Sequence, residues 1–143
     1  MRKREKQKIV EYVSAFICTQ GVPGINFRNL ECELITPDGT FCPIGSLMDL
    51  EECVLFSDEL IASEIDDIVL SNGNTWGRAD VKFLEDLNIC HDESVRHALF
   101  ECSGDPGIDD TGVKFVHEFY AKFSALMEEM CGDHGIRFPE EYM

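Results

Sequence analysis

The 143-residue chain contains no run of apolar residues long enough to span a bilayer as a helix, which takes roughly eighteen or more. Its first residues, Met1-Arg2-Lys3-Arg4-Glu5-Lys6, lead into a charged amphipathic stretch with no apolar signal region and no cleavage site, so neither export nor membrane insertion is expected. Among seven cysteines there is no close Cys-x-x-Cys pair, the spacing on which structural zinc usually draws. A phosphate-cradling glycine loop, a dinucleotide fingerprint and a serine-hydrolase elbow are also missing. So are internal repeats, low-complexity tracts and interdomain linkers, and the expectation is one domain over 1–143.

Positive charge is the scarcest commodity. Twelve Lys and Arg face 28 Asp and Glu, for a net charge of −16. Five of the twelve (Arg2, Lys3, Arg4, Lys6, Lys8) lie in the first eight positions, leaving seven bases against 27 acids in 9–143, a net of −20. Between Arg28 and Arg78 there is no Lys or Arg, whereas Glu31, Glu33, Asp38, Asp49, Glu51, Glu52, Asp58, Glu59, Glu64, Asp66 and Asp67 all fall there. Direct contact of such a segment with nucleic acid is repulsive. The simplest account of it is a solvated, solubilising face.

The cysteines are an odd number and have no export signal beside them, so reduced and mostly buried thiols are expected. The 44% apolar content is enough for one core. Residues 5–19 read as a helix through Ile9, Val13, Phe16 and Ile17, halted by Gly21 and Pro23. Its basic end, residues 1–8, lies where the helix dipole disfavours positive charge, which favours fraying or an acidic partner. Thr36-Pro37-Asp38-Gly39 carries the turn chemistry of a β-hairpin over about 31–43, pairing Thr36 with Thr40 and Leu34 with Cys42.

One or two acidic helices are expected from Ser46 to Leu70, with Leu47, Leu50, Val54, Leu60, Ile61, Ile65, Ile68 and Val69 as the buried stripe. After the turn signal at 71–74, a helix over about 79–91 and a short one over about 93–102 are read from Phe83, Leu84, Leu87 and Cys90, then Val95, Ala98, Leu99 and Cys102. The last helix, about 109–131, has its stripe at Val113, Val116, Tyr120, Phe123, Met127 and Met130, widened by Phe115, Phe119 and Leu126, and Gly132 is expected to end it. The fold class is therefore α+β, mainly helical, with one hairpin packed against about five helices.

Three stretches carry a resemblance: Thr36 to Leu47 (TPDGTFCPIGSL), Phe83 to Asp92 (FLEDLNICHD) and Met130 to Ile136 (MCGDHGI). Together they resemble a family of small uncharacterised bacteriophage and prophage proteins, whose pattern is an Asp-Gly turn, a Cys-x-x-Gly segment opening a helix, and a later helix ending in His-Asp. That family often has Cys-Ala-x-Gly-Cys, where this chain has Pro43 after Cys42 and Ser46 in place of the second Cys. The resemblance implies a phage setting, hence the cytoplasm of a host cell, and no particular activity.

Two functional expectations follow. In the first, the acid-rich segment engages a basic surface of a host protein, such as one that binds nucleic acid; the protein would then act as a host-defence inhibitor or nucleic-acid mimic. The residues expected at that interface are Asp49, Glu51, Glu52, Asp58, Glu59, Glu64, Asp66 and Asp67. In the second, the chain is a small enzyme or ligand-sequestering protein with a pocket near Cys42, Trp76 and His91. Catalysis there would use Cys42 before a helix as nucleophile, His91 as base and Asp92 as its orienting carboxylate. The hairpin register opposes this, because it puts Cys42 on one apolar face with Cys32, Leu34 and Ile44. No cofactor and no metal are expected; Cys90 and His91, being adjacent, diverge by about 100° on a helix.

Overall fold

The computed structural model describes the backbone of residues 2–47, 68–69, 75–76, 78–102 and 110–142, and the side chains of 2–47, 82–102 and 113–142. Four α-helices are present among the described residues: α1 (Lys3–Gln20), α2 (Pro43–Leu47), α3 (Arg78–Glu101) and α4 (Asp110–Asp133). Two short antiparallel ladders accompany them, β1 (Ile25–Asn26) with β2 (Glu31–Cys32), and β3 (Ile68–Val69) with β4 (Thr75–Trp76). The fold is mainly helical α+β, with four helices among the described residues where about five were expected for the chain. No helix among the described residues is long and apolar enough to cross a membrane.

The core is built on α3 and α4, the most extensively packed pair. On α4 the buried residues are Phe115, Phe119, Phe123, Met127, Met130 and Cys131, spaced by three and four so that they form one stripe. Val113, expected in that stripe, is 73% exposed instead; a buried Phe115 at the head of the run rotates the inward face away from it. From α3 the core receives Phe83, Leu84, Leu87, Cys90, Val95 and Ala98, and from α1 Ile9, Val10, Val13 and Ile17. Phe119 stacks on Phe123 at 5.4 Å between ring centroids.

The expected break at 91–93 does not occur. Ser94 Oγ donates back to the Cys90 carbonyl (2.5 Å) and Asp92 is committed to His91, so neither side chain caps a new helix and α3 runs through. Similarly, α4 passes Gly132 and stops at Gly135, whose φ is +69°. Ile136 N donates to Cys131 O (2.9 Å) and Gly135 N to Gly132 O (3.1 Å), the paired bonds of a Schellman ending with Ile136 buried beside it.

The turn register holds. Thr36 N donates to Thr40 O (2.9 Å), Cys42 N to Leu34 O (3.4 Å), and Gly39 takes φ +81°. The ladder it closes is a single bridge, Ile35 to Phe41, because β2 pairs with β1 and Pro43 turns the chain into α2. Residues 48–67, most of the expected acidic helical region, lie outside the described residues. Ile68 and Val69, expected on a helix, instead form β3, where β-branched residues opposite Thr75 and Trp76 suit a strand.

Two glutamines of α1 fasten the rest to it. Gln20 donates to Phe41 O (2.8 Å) and accepts from Phe41 N (2.9 Å); Gln7 does the same with Arg137 (2.7 and 2.9 Å). At the basic end, one side chain reaches the rest of the molecule. Lys6 Nζ sits 5.3 Å from the Phe83 ring centroid and 3.2 Å from His134 Nδ1.

Candidate functional site

The residues with chemical capacity converge where α3 passes β1, β2 and the start of α2. His91, on the inner face of α3, is fully buried against Phe119. Its Nε2 accepts the Gly24 amide N–H (2.8 Å) and its Nδ1 lies 2.9 Å from Asp92 Oδ1. A neutral imidazole has one proton, so the Gly24 contact fixes it on Nδ1, donating to Asp92. Cys32 completes the group, its ligand atom and those of His91 and Asp92 lying within 4.8 Å of one another. Burial, and then the charge and hydrogen bonding of Asp92, push the Cys32 thiol far above its ordinary 9.0, with neighbouring Cys42 adding to the effect.

This arrangement differs from the expected Cys42, His91 and Asp92 constellation. Cys42 is buried and acts on α2: its Sγ accepts Gly45 N (3.4 Å) and its carbonyl accepts Ser46 N (2.9 Å). Asn88 Oδ1 accepts Ile44 N (3.1 Å), and Pro43 has no N–H, so the opening turn of α2 is fully provided for. Asp92 is brought instead to Cys32. The side chain of Trp76 and all eight acids expected at the interface, Asp49, Glu51, Glu52, Asp58, Glu59, Glu64, Asp66 and Asp67, lie outside the described residues. The participation of Cys32 was foreshadowed by the hairpin register, which places it on the Cys42 face.

Chemically, the group is a closed proton network. His91 has no lone pair to serve as base, since Gly24 occupies Nε2, and the thiol beside Asp92 resists becoming the thiolate that nucleophilic chemistry needs. A cation bound at Nδ1 would shift the imidazole proton to Nε2, directly opposite the Gly24 N–H. The donor set is thus that of a clamp tying α3 to the 24–32 segment. Outside it, Leu30, Glu31, Cys32, Asp92, Val95, Arg96 and Leu99 line a cleft of about 410 Å³. Leu30 forms its lip in the left-handed region at φ +60°, uncommon for a residue with a Cβ.

A second polar group ties the N-terminus to the far end of α3. His134 Nε2 is 3.0 Å from Asp86 Oδ2, and Lys82 Nζ is 2.6 Å from Asp86 Oδ1. Burial by itself would raise the Asp86 carboxyl, but hydrogen bonds from Lys82 and His134 outweigh it and hold the group below its ordinary 3.8. With Lys6 donating to Nδ1, this imidazole is also engaged on both nitrogens. His97 meets Glu118 at 3.3 Å, and His117 is exposed. Comparison of the chain with protein-family models, with curated proteins and with solved structures gives no match.

Proposed function

We propose that this protein acts by binding, its acid-rich segment engaging a basic surface of a host protein in the manner of a nucleic-acid mimic or host-defence inhibitor. The observation that carries the reading is the eleven carboxylates of residues 29–77 without one Lys or Arg among them. They outnumber any local counter-charge, so part of the segment presents negative potential to solvent. Glu31, Glu33 and Asp38, the described members, enter no ion pair among the described residues. The competing catalytic reading, with Cys42 as nucleophile and His91 as base, is weakened by the burial of Cys42 and by the engaged nitrogens of His91.

The test is a combined variant, Glu51→Lys, Glu52→Lys, Asp58→Lys and Glu59→Lys, measured against a host partner first captured and identified with the wild-type chain. Binding is expected to fall by at least about tenfold, roughly 1.4 kcal/mol, and wild-type affinity to fall as salt rises. Circular dichroism is recorded alongside, so that a loss of binding counts only in a variant that keeps the wild-type spectrum. Full binding by this variant, together with loss in a folded Cys32→Ser or Asp92→Asn variant, would replace the electrostatic reading with the pocket reading.

A further inference from the structure

Between α3 and α4 runs a groove of about 390 Å³ lined by residues of both helices and by His134, within the range of about 300–1,000 Å³ usual for ligand sites. Its floor is apolar: Ile89, 50% exposed, with Leu126, Cys90 and Met130 behind it. Carboxylates from both helices form its rim. Two of them are already engaged, Asp86 by the Lys82 ammonium and a hydrogen bond from His134, and Glu93 by Arg96. Glu129 and Asp133, both exposed on α4, have no cationic partner among the described residues. Beyond the His134 end of this groove, Lys6 of α1 lies over Phe83 and against His134.

We infer that this groove docks a basic amphipathic helix of a partner protein, its apolar side chains on Ile89, Leu126 and Met130 and its flanking Lys or Arg side chains on Glu129 and Asp133. The floor and the rim together select this occupant. A purely apolar helix would bring no counter-charge to Glu129 and Asp133, and a nucleic acid or anionic lipid surface would be repelled by them. An amphipathic basic helix meets both demands, in the helix-in-groove mode of recognition. The inference rests on the proposal that the protein is an acidic binder, and adds to it a contact surface built from residues of α3 and α4.

The probe is a fluorescein-labelled Lys/Leu helical peptide with leucines at i, i+3, i+4 and i+7, and a matched peptide with serine for leucine, titrated by anisotropy against the full chain. The Lys/Leu peptide should bind with an affinity that falls as salt rises, and the serine peptide at least about tenfold more weakly. Glu129→Lys with Asp133→Lys, and separately Ile89→Asp, should each weaken the Lys/Leu peptide at least about tenfold with circular dichroism unchanged. The Lys reversals at 51, 52, 58 and 59 should leave peptide affinity unaltered. Failure of the wild-type chain to bind, or wild-type affinity in both folded groove variants, overturns the inference. Peptide binding lost only in the 51–59 variant overturns the groove while leaving the acidic-binder proposal standing. Concentration-dependent dimerisation that Glu129→Lys with Asp133→Lys abolishes, without peptide binding by the wild-type chain, assigns the groove to a second copy and overturns it as well. A host partner bound equally by wild type and the 51–59 variant, but not by the groove variants, upholds the groove and removes the acidic segment from the interface.

Discussion

His91 shows how one side chain can possess catalytic residue chemistry and yet be fully occupied by structure. It has no exposed surface, its Nε2 takes the Gly24 amide proton and its Nδ1 proton goes to Asp92. Removing the ring would leave a buried amide and a carboxylate short of a partner, beside a void next to Phe119. His91→Ala is therefore expected to lower unfolding free energy by on the order of 3 kcal/mol, combining the unsatisfied donor with the lost packing. Urea denaturation followed by circular dichroism measures this. The tautomer is separately checkable: nitrogen-15 NMR should find the proton on Nδ1. A proton on Nε2 would mean that Gly24 does not donate there, and the imidazole would be available as a base after all.

At the scale of elements, two glycines that look alike in the sequence behave oppositely. Gly45 in α2 lies so close to the β2 extension that a Cβ would overlap the Leu34 carbonyl, whereas Gly132 on exposed α4 has open space around it. Gly45→Ala is expected to destabilise by more than about 2 kcal/mol, since the obstacle is backbone that cannot rotate aside. Gly132→Ala should stabilise by about 0.5–1 kcal/mol, as alanine favours helix; thermal melts of the pair decide both. The same contrast explains what was legible beforehand. Turn register, the α1 stripe and the phenylalanines of α4 follow local rules of period and turn chemistry, so they could be read directly. The continuity of α3 through Asp92 and Ser94, and the ending of α4 at Gly135, depend on which partner a polar side chain or amide finds. The meeting of Cys32 with His91 and Asp92 needs α3 placed across the 24–32 segment, a long-range fact that periodicity does not contain, although the hairpin register already put Cys32 on the correct face.

For the whole molecule, ionisable groups held in their uncharged or charged forms set the pH range over which the fold is stable. On the acid side, Asp86 has its carboxyl lowered from 3.8 by its hydrogen bonds to Lys82 and His134, which outweigh burial. Its stabilisation is present above the unfolded value and is lost as pH falls through the lower folded one. On the alkaline side the sign reverses. Burial, with Cys131, Asp86 and Glu129 nearby, pushes the Cys90 thiol up to about 12, and burial pushes Cys131 up to about 11. Tyr120, half-buried with its hydroxyl donating to Ile17 O (2.7 Å), is raised as well by desolvation. Between the ordinary thiol value of 9.0 and those folded values the unfolded chain releases protons that the native chain retains, so stability falls as pH rises. One pH unit above the unfolded pKa, each such thiol lowers stability by about 1.4 kcal/mol. Urea midpoints measured from pH 7 upward should therefore be level to about pH 8.5 and then decline. In Cys90→Ala the decline should be shallower by one thiol's share, even though the variant starts from lower stability because a buried side chain has been truncated. An unchanged alkaline slope in that variant would show that Cys90 ionises as readily in the native core as in the unfolded chain, and that the α3–α4 packing around it admits water.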